Sequence, residues 1–565
     1  MTVVAPKLKT GRARQKALTR LSPFELKDTL IQLAQANERT STAMMLNAGR
    51  GNPNWIATRA REAFFLLGKF ALGECRRTRD DGIIAGMPDK SGIGNRFKDF
   101  LTSERDTPGA EFLKGVYEYG KKAGFDADAW IHELTDSIIG DNYPTPDRML
   151  VHCEKVVHAY LAKEMCDGHP PNGRYDLFAA EGGTAAMCYI FDSLAQNGLL
   201  KRGDRVAIMM PIFTPYIEIA QLARFDFRIV PIHADDRSGD GLHTWHYSEK
   251  ELSKLADRRI KLLFCVNPSN PPSVALSPGE MRSIVRAVKR NPNLVIVTDD
   301  VYGTFVPHFR SFMAELPHNT IGVYSFSKNF GCTGWRLGVI AVHQKNVLDA
   351  QIAKLPAATK KTLRKRYGSL TLEPDKMKFI DRMVADSRDV ALNHTAGLSL
   401  PQQVQMALFA LTHLLDPEDR YKGATMAICH KRRDLLSEGL GITLPSNDPL
   451  RAWYYVELDL EVWARKTYGD GFFEYLEANY EPVDFLFRIA EKSSVVLLDG
   501  GGFGGPPWSV RISLANLGEE EYRNIGKFMR EAAQEYVQAW QTGQGGAPGA
   551  GSSARRPAAR GRRAR

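Results

Sequence analysis

Val323-Tyr324-Ser325-Phe326-Ser327-Lys328-Asn329-Phe330-Gly331-Cys332-Thr333-Gly334-Trp335-Arg336-Leu337-Gly338 reads as the end of an apolar strand (Ile321, Val323) running into a loop too rich in glycine to be a helix. Lys328 is the only charge in the first thirteen residues of that stretch. An amine set among Ser, Phe, Asn and Cys loses hydration and becomes a usable nucleophile. Eight residues on, Arg336 brings a planar fork of donors suited to a phosphate, and Ser325 adds a hydroxyl. A solvated lysine in an ordinary strand-to-loop turn fits poorly with so apolar a setting.

Upstream, from residue 174, apolar runs alternate with amphipathic helical segments, which signals a mostly parallel α/β sheet. The runs lie at Arg205–Met210, Lys261–Val266, Leu294–Thr298 and Thr320–Ser325. Ligands of open α/β sheets bind outside the carboxyl ends of the strands, so the residues after each run carry the information. Phe213 follows the first run, with core packing as the bland alternative. Asn270, between prolines, follows the second with its amide free. Asp299 ends the third, where a carboxylate is costly unless a cation pairs with it, and Tyr302 stands three residues further on. Before all of these, Gly182-Gly183-Thr184 opens a helix whose free N–H groups and hydroxyl suit an anion. Any Gly-capped helix looks similar, so that signal is weak alone.

The N-terminal region is less informative. Residues 22–36 have helical periodicity with Ser22 and Glu25 at capping-box spacing. In the loop Asn47-Ala48-Gly49-Arg50-Gly51-Asn52-Pro53, two glycines around Arg50 describe a backbone that comes close to something. Helical pieces fill 58–125, and prolines hold Tyr143 in an extended loop. Residues 345–400 are Lys/Arg-rich without a catalytic pattern. Near the end, Asp499 to Trp508 is a glycine run without the Lys-Ser or Lys-Thr of a P-loop, leading to a short strand with one inward arginine, Arg511.

Composition limits the function classes. With 565 residues, 43% hydrophobic and 25% charged, the chain is long enough for two or more domains and a large core. Its net charge of +10 comes from two ends: residues 1–20 hold six basic and no acidic side chains, and residues 541–565 hold six arginines and no acid. Without those twelve the body has 63 basic against 65 acidic residues, a net of −2, which argues against a nucleic-acid-binding body. Seven cysteines with no CxxC pair point to a reducing compartment and no zinc site. With no secretory core and no apolar run of spanning length, a cytoplasmic protein without a membrane partner is expected.

A nucleophilic amine beside a phosphate clamp is what holding pyridoxal 5'-phosphate as a Schiff base requires. The order of the parts (Gly-Thr helix start, aromatic after a strand, Asn-Pro turn, Asp-x-x-Tyr, Ser-x-Ser-Lys with Arg eight later, late Arg-Ile-Ser) resembles the aspartate aminotransferase family of fold type I pyridoxal-phosphate enzymes. The resemblance covers about 127–540. It implies a large α/β domain with a mostly parallel seven-stranded sheet flanked by helices, plus a smaller α+β domain. It makes Lys328 the cofactor-binding lysine and proton carrier, and Asp299 the partner of the pyridine nitrogen. Tyr302 and Asn270 become donors to the ring oxygen, and Phe213 the stacking aromatic. Gly183, Thr184, Ser325 and Arg336 form the phosphate cup, Tyr143 reaches the neighbouring subunit's phosphate in at least a homodimer, and Arg511 binds the substrate α-carboxylate. Extra material near 58–126 and 345–395, with the wording around Arg50 and Lys328, looks like the aspartate 4-decarboxylase branch of that family. That branch removes the β-carboxylate of L-aspartate and also transaminates, with 2-oxo acids as partners in the side reaction. Arg50 is then the candidate for a loose contact to the distal carboxylate.

The expected organisation is a disordered basic arm (1–21), the first part of the small domain (22–57), a helical insertion (58–126), the large domain (127–415), the rest of the small domain (416–540) and a disordered Gly/Ala/Arg tail (541–565). The competing readings are an aminotransferase without decarboxylase activity and an effector-sensing regulator built on the same fold. The latter usually carries a winged-helix domain, and residues 1–125 show no basic recognition helix.

Overall fold

The computed structural model describes residues 12–38, 44–238, 243–391, 397–444 and 448–543. Its strands are β1 (Leu46–Asn47), β2 (Tyr175–Ala180), β3 (Arg205–Met210), β4 (Arg228–His233), β5 (Ile260–Val266), β6 (Val295–Asp299), β7 (Thr320–Ser325), β8 (Gly338–His343), β9 (Tyr455–Asp459), β10 (Val495–Val496), β11 (Leu498–Asp499) and β12 (Ser509–Ser513). Seven of them form one sheet in the order β2-β8-β7-β6-β5-β3-β4. Only β8 runs against the others, pairing antiparallel with both β2 and β7. The sheet is therefore mostly parallel, and β2, β6 and β7 are buried along their whole length. Burial on both faces is why these segments read as unbroken apolar runs instead of alternating ones.

That topology positions the site. The parallel strands β3, β5, β6 and β7 all end on the same side of the sheet. The residues after them (Phe213, Asn270, Asp299 to Tyr302, Ser325 to Lys328) converge there. The helix Gly183–Gln196 packs on β7 and β8 with its first turn at that edge.

A smaller sheet, β11-β12-β9, is antiparallel, with Arg511 of β12 directly opposite Glu457 of β9. It carries the second wall of the site. The N-terminal segment joins the same unit: β1 pairs with β10, and the helix Pro23–Glu38 packs on the helix Asp484–Ser493. The region 58–126 holds helices Thr58–Thr78, Ile93–Ser103 and Pro108–Lys122, which pack among themselves and on Ala127–Ile139. The second insertion places helix Phe379–Ala391 along the outer side of Gly183–Gln196. There Asp386 accepts from Ser193 at 2.7 Å and pairs with Arg366 at 2.9 Å.

One expectation needs correcting. The basic arm is not irregular throughout, because Arg12–Leu18 is helical and Arg12 pairs with Glu481 at 2.8 Å. Residues 1–11 and 544–565 lie outside the described residues. All seven cysteines are free thiols. Among the described residues, no helix is long and apolar enough to cross a membrane.

Candidate active site

A cavity of about 330 Å³ opens between the carboxyl edge of the large sheet and the small sheet. Its lining includes Gly183, Thr184, Phe213, Asn270, Asp299, Tyr302, Ser325, Lys328, Arg336 and Arg511, ten of the twelve residues singled out from the sequence.

Lys328 Nζ donates to the Gly51 carbonyl at 3.0 Å, and the Tyr454 hydroxyl donates to the same oxygen at 2.8 Å. The loop after β7 is thus closed over by the glycine loop of the N-terminal segment. Trp55 Nε1 donates to the Asn329 carbonyl at 3.0 Å, and Arg61 holds the carbonyls of Phe330 and Gly331 at 3.1 and 2.6 Å. Behind Lys328, the Asn329 amide meets His413 Nε2 at 2.7 Å, and His413 Nδ1 meets Glu164 at 2.9 Å. Lys422 completes this buried group at 2.9 Å from Glu164. Burial pushes the Glu164 carboxyl up, but His413 and Lys422 outweigh it and bring it down to about 2.

A depressed carboxylate pKa stabilises the fold above its unfolded value, near 4.5, and that contribution is lost as pH falls towards 2. Glu164→Gln is therefore expected to lower stability at neutral pH, by about 3–5 kcal/mol for a broken buried pair. Denaturant titration checks this, and the deficit relative to wild type should shrink below pH 4.5.

Asp299 is 7% exposed at the end of β6. Its Oδ2 accepts from Tyr216 Oη at 2.6 Å and its Oδ1 from the Val301 amide at 3.2 Å. Burial raises its pKa, against the pull of Tyr216, Val301 and Lys328. A buried carboxylate so placed is completed by a cation. Close to Asp299, Gly183 and Thr184 start a helix, with Ser325 and Ser327 linked at 3.0 Å. Arg336 is exposed and donates to the Thr333 carbonyl at 2.9 Å. A Cβ added at Gly183 would stand in the space between Ser325, Asp299 and Tyr216, 3.7–3.9 Å from each. The first turn of that helix and the Ser325 and Ser327 hydroxyls line this part of the cavity.

On the small-sheet wall, Arg511 is 2% exposed. Its Nη2 donates to the Gly49 carbonyl at 2.9 Å and its Nη1 to Asn270 Oδ1 at 3.3 Å, while its Nε has no partner among the described residues. Burial, with Asp459 and Asp499 nearby, pushes the opposing Glu457 carboxyl well up. Among the described residues Arg511 makes no ion pair, and it lines the cavity where an incoming carboxylate can reach it.

Two expected residues lie outside this cavity. Tyr143 is 69% exposed in the loop after Gly140 and lines a separate depression with His132 and Leu400. Arg50 is exposed and does not line the cavity, although Gly51 and Asn52 do. The reason is local: the Gly49 and Gly51 carbonyls face Arg511 and Lys328, so the backbone, not the Arg50 side chain, turns inward.

The structure also adds residues. Tyr216 orients Asp299, Ser327 joins the hydroxyl pair, and Phe24 of the helix Pro23–Glu38 meets Phe213 edge-on at 5.6 Å. Tyr455 of β9 accepts from Tyr302 Oη at 3.1 Å with the Arg511 guanidinium 4.3 Å from its ring centre. Tyr216 and Phe24 sit in ordinary apolar segments, where an aromatic reads as core. Only the Ser-x-Ser-Lys spacing could have announced Ser327.

Residues 179–527 match the family model for aminotransferase class I and II. A bifunctional aspartate aminotransferase and L-aspartate beta-decarboxylase from Pseudomonas sp. is 48% identical over 93% of this chain and 98% of its own length. The fold is shared with the Thermus thermophilus aspartate aminotransferase (TM-score 0.55, 16% identity, 90% of this chain and 96% of that one). It is shared too with the Mycobacterium tuberculosis N-succinyldiaminopimelate aminotransferase (TM-score 0.54, 18% identity, 93% and 99%). With its site residues gathered at the sheet edge and a match across most of its length, the chain belongs to the class I and II aminotransferases.

Proposed function

We propose that the protein holds pyridoxal 5'-phosphate and removes the β-carboxylate of L-aspartate, yielding L-alanine and carbon dioxide, with transamination as a second outcome of the same site. The fit to the cofactor rests on the donor set. A phosphate dianion suits the Gly183 and Thr184 amides, the Ser325 and Ser327 hydroxyls and Arg336. A protonated ring nitrogen suits Asp299, and the ring oxygen suits Tyr302 and Asn270. Phe213 supplies an apolar face. Pyridoxal phosphate, when bound, supplies a carbonyl that condenses with amines and a conjugated ring that accepts electron pairs.

The chain's own residues do the rest. Lys328 is the nucleophilic amine that tethers the cofactor, and it takes and returns the proton at the substrate Cα. Asp299, oriented by Tyr216, holds the positive charge of the ring nitrogen. Arg511 anchors the α-carboxylate, and its own position is set by Asn270 and the Gly49 carbonyl.

One observation carries the choice of decarboxylation: the arginines lining the cavity, among the described residues, are Arg336 and Arg511. The phosphate takes the first and the α-carboxylate the second. A distal carboxylate clamped in a bidentate salt bridge would be stabilised against leaving, and this lining offers it no such clamp. The similarity to the Pseudomonas protein supports the same reading. Arg50, next in sequence to the cavity-lining Gly51, is the proposed loose contact to that carboxylate. Tyr143, exposed on a single chain, is proposed to serve a neighbouring subunit in at least a dimer, which sedimentation would test.

L-aspartate carrying its isotopic label in the distal carboxylate should release labelled carbon dioxide, and aspartate labelled in the α-carboxylate should release none. The reverse pattern would refute the assignment. Arg511→Ala is expected to weaken aspartate and alanine alike, by about 2–5 kcal/mol as for a truncated charge pair. Arg50→Ala should weaken aspartate selectively, and inhibition constants for the two amino acids measure both effects.

A further inference from the structure

We propose that Tyr455 is a second acid of the active site, donating its phenolic proton to the substrate β-carbon after carbon dioxide leaves. The inference rests on the decarboxylase reading and goes beyond it, because nothing above supplies a proton to that carbon. Lys328 is occupied with the proton at Cα. The β-carbon lies one carbon–carbon bond, about 1.5 Å, further along. It needs its own donor once it keeps the electron pair of the broken bond.

Tyr455 is placed for this. It lines the cavity with Lys328, Asn270 and Arg511 and is 2% exposed. A Cβ built on Gly51 would stand 2.6 Å from Tyr455 Oη and 3.2 Å from Lys328 Nζ. The hydroxyl and the amine thus flank one point in space, and only a glycine leaves that point open. The ring is fixed on several sides. Its backbone amide donates to Ser273 Oγ at 2.9 Å, the Arg511 guanidinium lies over one face, and Tyr454 packs edge-on at 5.0 Å. Tyr302 Oη and Tyr455 Oη lie 3.1 Å apart and share one hydrogen bond.

Two cations, Lys328 and Arg511, and two phenols, Tyr302 and Tyr454, face this group. Burial pushes the Tyr455 phenol up, but Lys328 and Arg511, with the Tyr302 hydrogen bond, outweigh burial and bring it below its ordinary value of 10. Its neighbours go the other way, since burial and mutual proximity raise both Tyr302 and Tyr454. Tyr455 is therefore the phenol of the trio best able to give up a proton.

The step balances. The bond from the β-carbon to the distal carboxylate breaks, its electron pair stays with the substrate, and carbon dioxide departs. A new carbon–hydrogen bond forms with the proton from Tyr455 Oη. The phenolate regains a proton from solvent, so each alanine formed consumes one proton from solution.

Tyr455→Phe keeps the ring and its packing and removes only the acid. Decarboxylation of L-aspartate should then fall by about 10²-fold or more, the usual worth of a general acid, and by a larger factor than the transamination half-reaction, so that the ratio of alanine to oxaloacetate drops. In the full-length protein freed of cofactor, where the Lys328 amine is untethered, ultraviolet titration should show a phenolate forming below pH 10 that Tyr455→Phe abolishes. Equal losses in both reactions would make Tyr455 a positioning residue and overturn the acid role, as would an unchanged ratio of alanine to oxaloacetate. If the wild type itself releases no carbon dioxide, the decarboxylase reading falls and the acid role falls with it. If the wild type decarboxylates and Tyr455→Phe does so equally well, the acid role alone is wrong.

Discussion

Lys328→Ala is expected to abolish both decarboxylation and transamination, a loss of about 10⁴-fold or more, since it removes the nucleophile and the Cα proton carrier together. No neighbouring amine replaces it, because Lys328 is the lysine among the cavity's described lining residues. Its Nζ is already aimed inward by the Gly51 carbonyl. Fold stability should change little, since the Lys328 side chain is a part-buried donor to one carbonyl and that oxygen keeps its bond from Tyr454. Borohydride reduction of the wild-type protein should fix the cofactor chromophore on the peptide containing Lys328. Label on any other lysine would contradict the assignment.

Asp299→Ala comes next in size. Its carboxylate is the one buried group placed to hold a cationic ring nitrogen, and losing such a preorganised charge costs roughly 10²–10³-fold in rate. The phosphate donors are untouched by this change, so the cofactor should still bind. Absorbance titration with pyridoxal phosphate separates binding from turnover. Near-normal turnover would refute the role of Asp299. Tyr216→Phe should act in the same direction and more mildly, because it removes one hydrogen bond to Asp299 and leaves the charge.

How much of this was legible in the sequence follows from how local each signal is. The strands Arg205–Met210 and Thr320–Ser325 lie where their apolar runs place them, because central strands of a parallel sheet are buried on both faces. The edge strand Arg228–His233 is half-exposed, polar at both ends and interrupted by Pro231, so it makes no such run. The strand Gly338–His343 follows directly on the Arg336 loop, whose glycines mask its start. Lys328, Asp299, Asn270 and Arg336 were readable because each breaks a local pattern: a charge in an apolar loop, a carboxylate ending a buried strand or an amide held between prolines.

Tyr216 and Tyr455 break no pattern. A tyrosine in an apolar segment looks like core until the fold sets its hydroxyl against Asp299 or Tyr302. Arg50 is the opposite case. Its flanking glycines announced a close approach correctly, but the groups that approach the site are their carbonyls. The role proposed for Tyr143 needs a second chain, and no local pattern encodes that.

The central claim is that one site removes the β-carboxylate of aspartate and needs no second substrate to do so. Decarboxylation leaves the amino group on the product, so the site is ready for another turn. Transamination keeps the amino group in the site until a 2-oxo acid carries it away. The decisive measurement is purified protein with L-aspartate as the sole substrate, following alanine and carbon dioxide over many enzyme equivalents. Sustained, equimolar release of both is the expected result. A single half-turnover to oxaloacetate, with continued reaction only after 2-oxoglutarate is added, would contradict it and leave an aminotransferase.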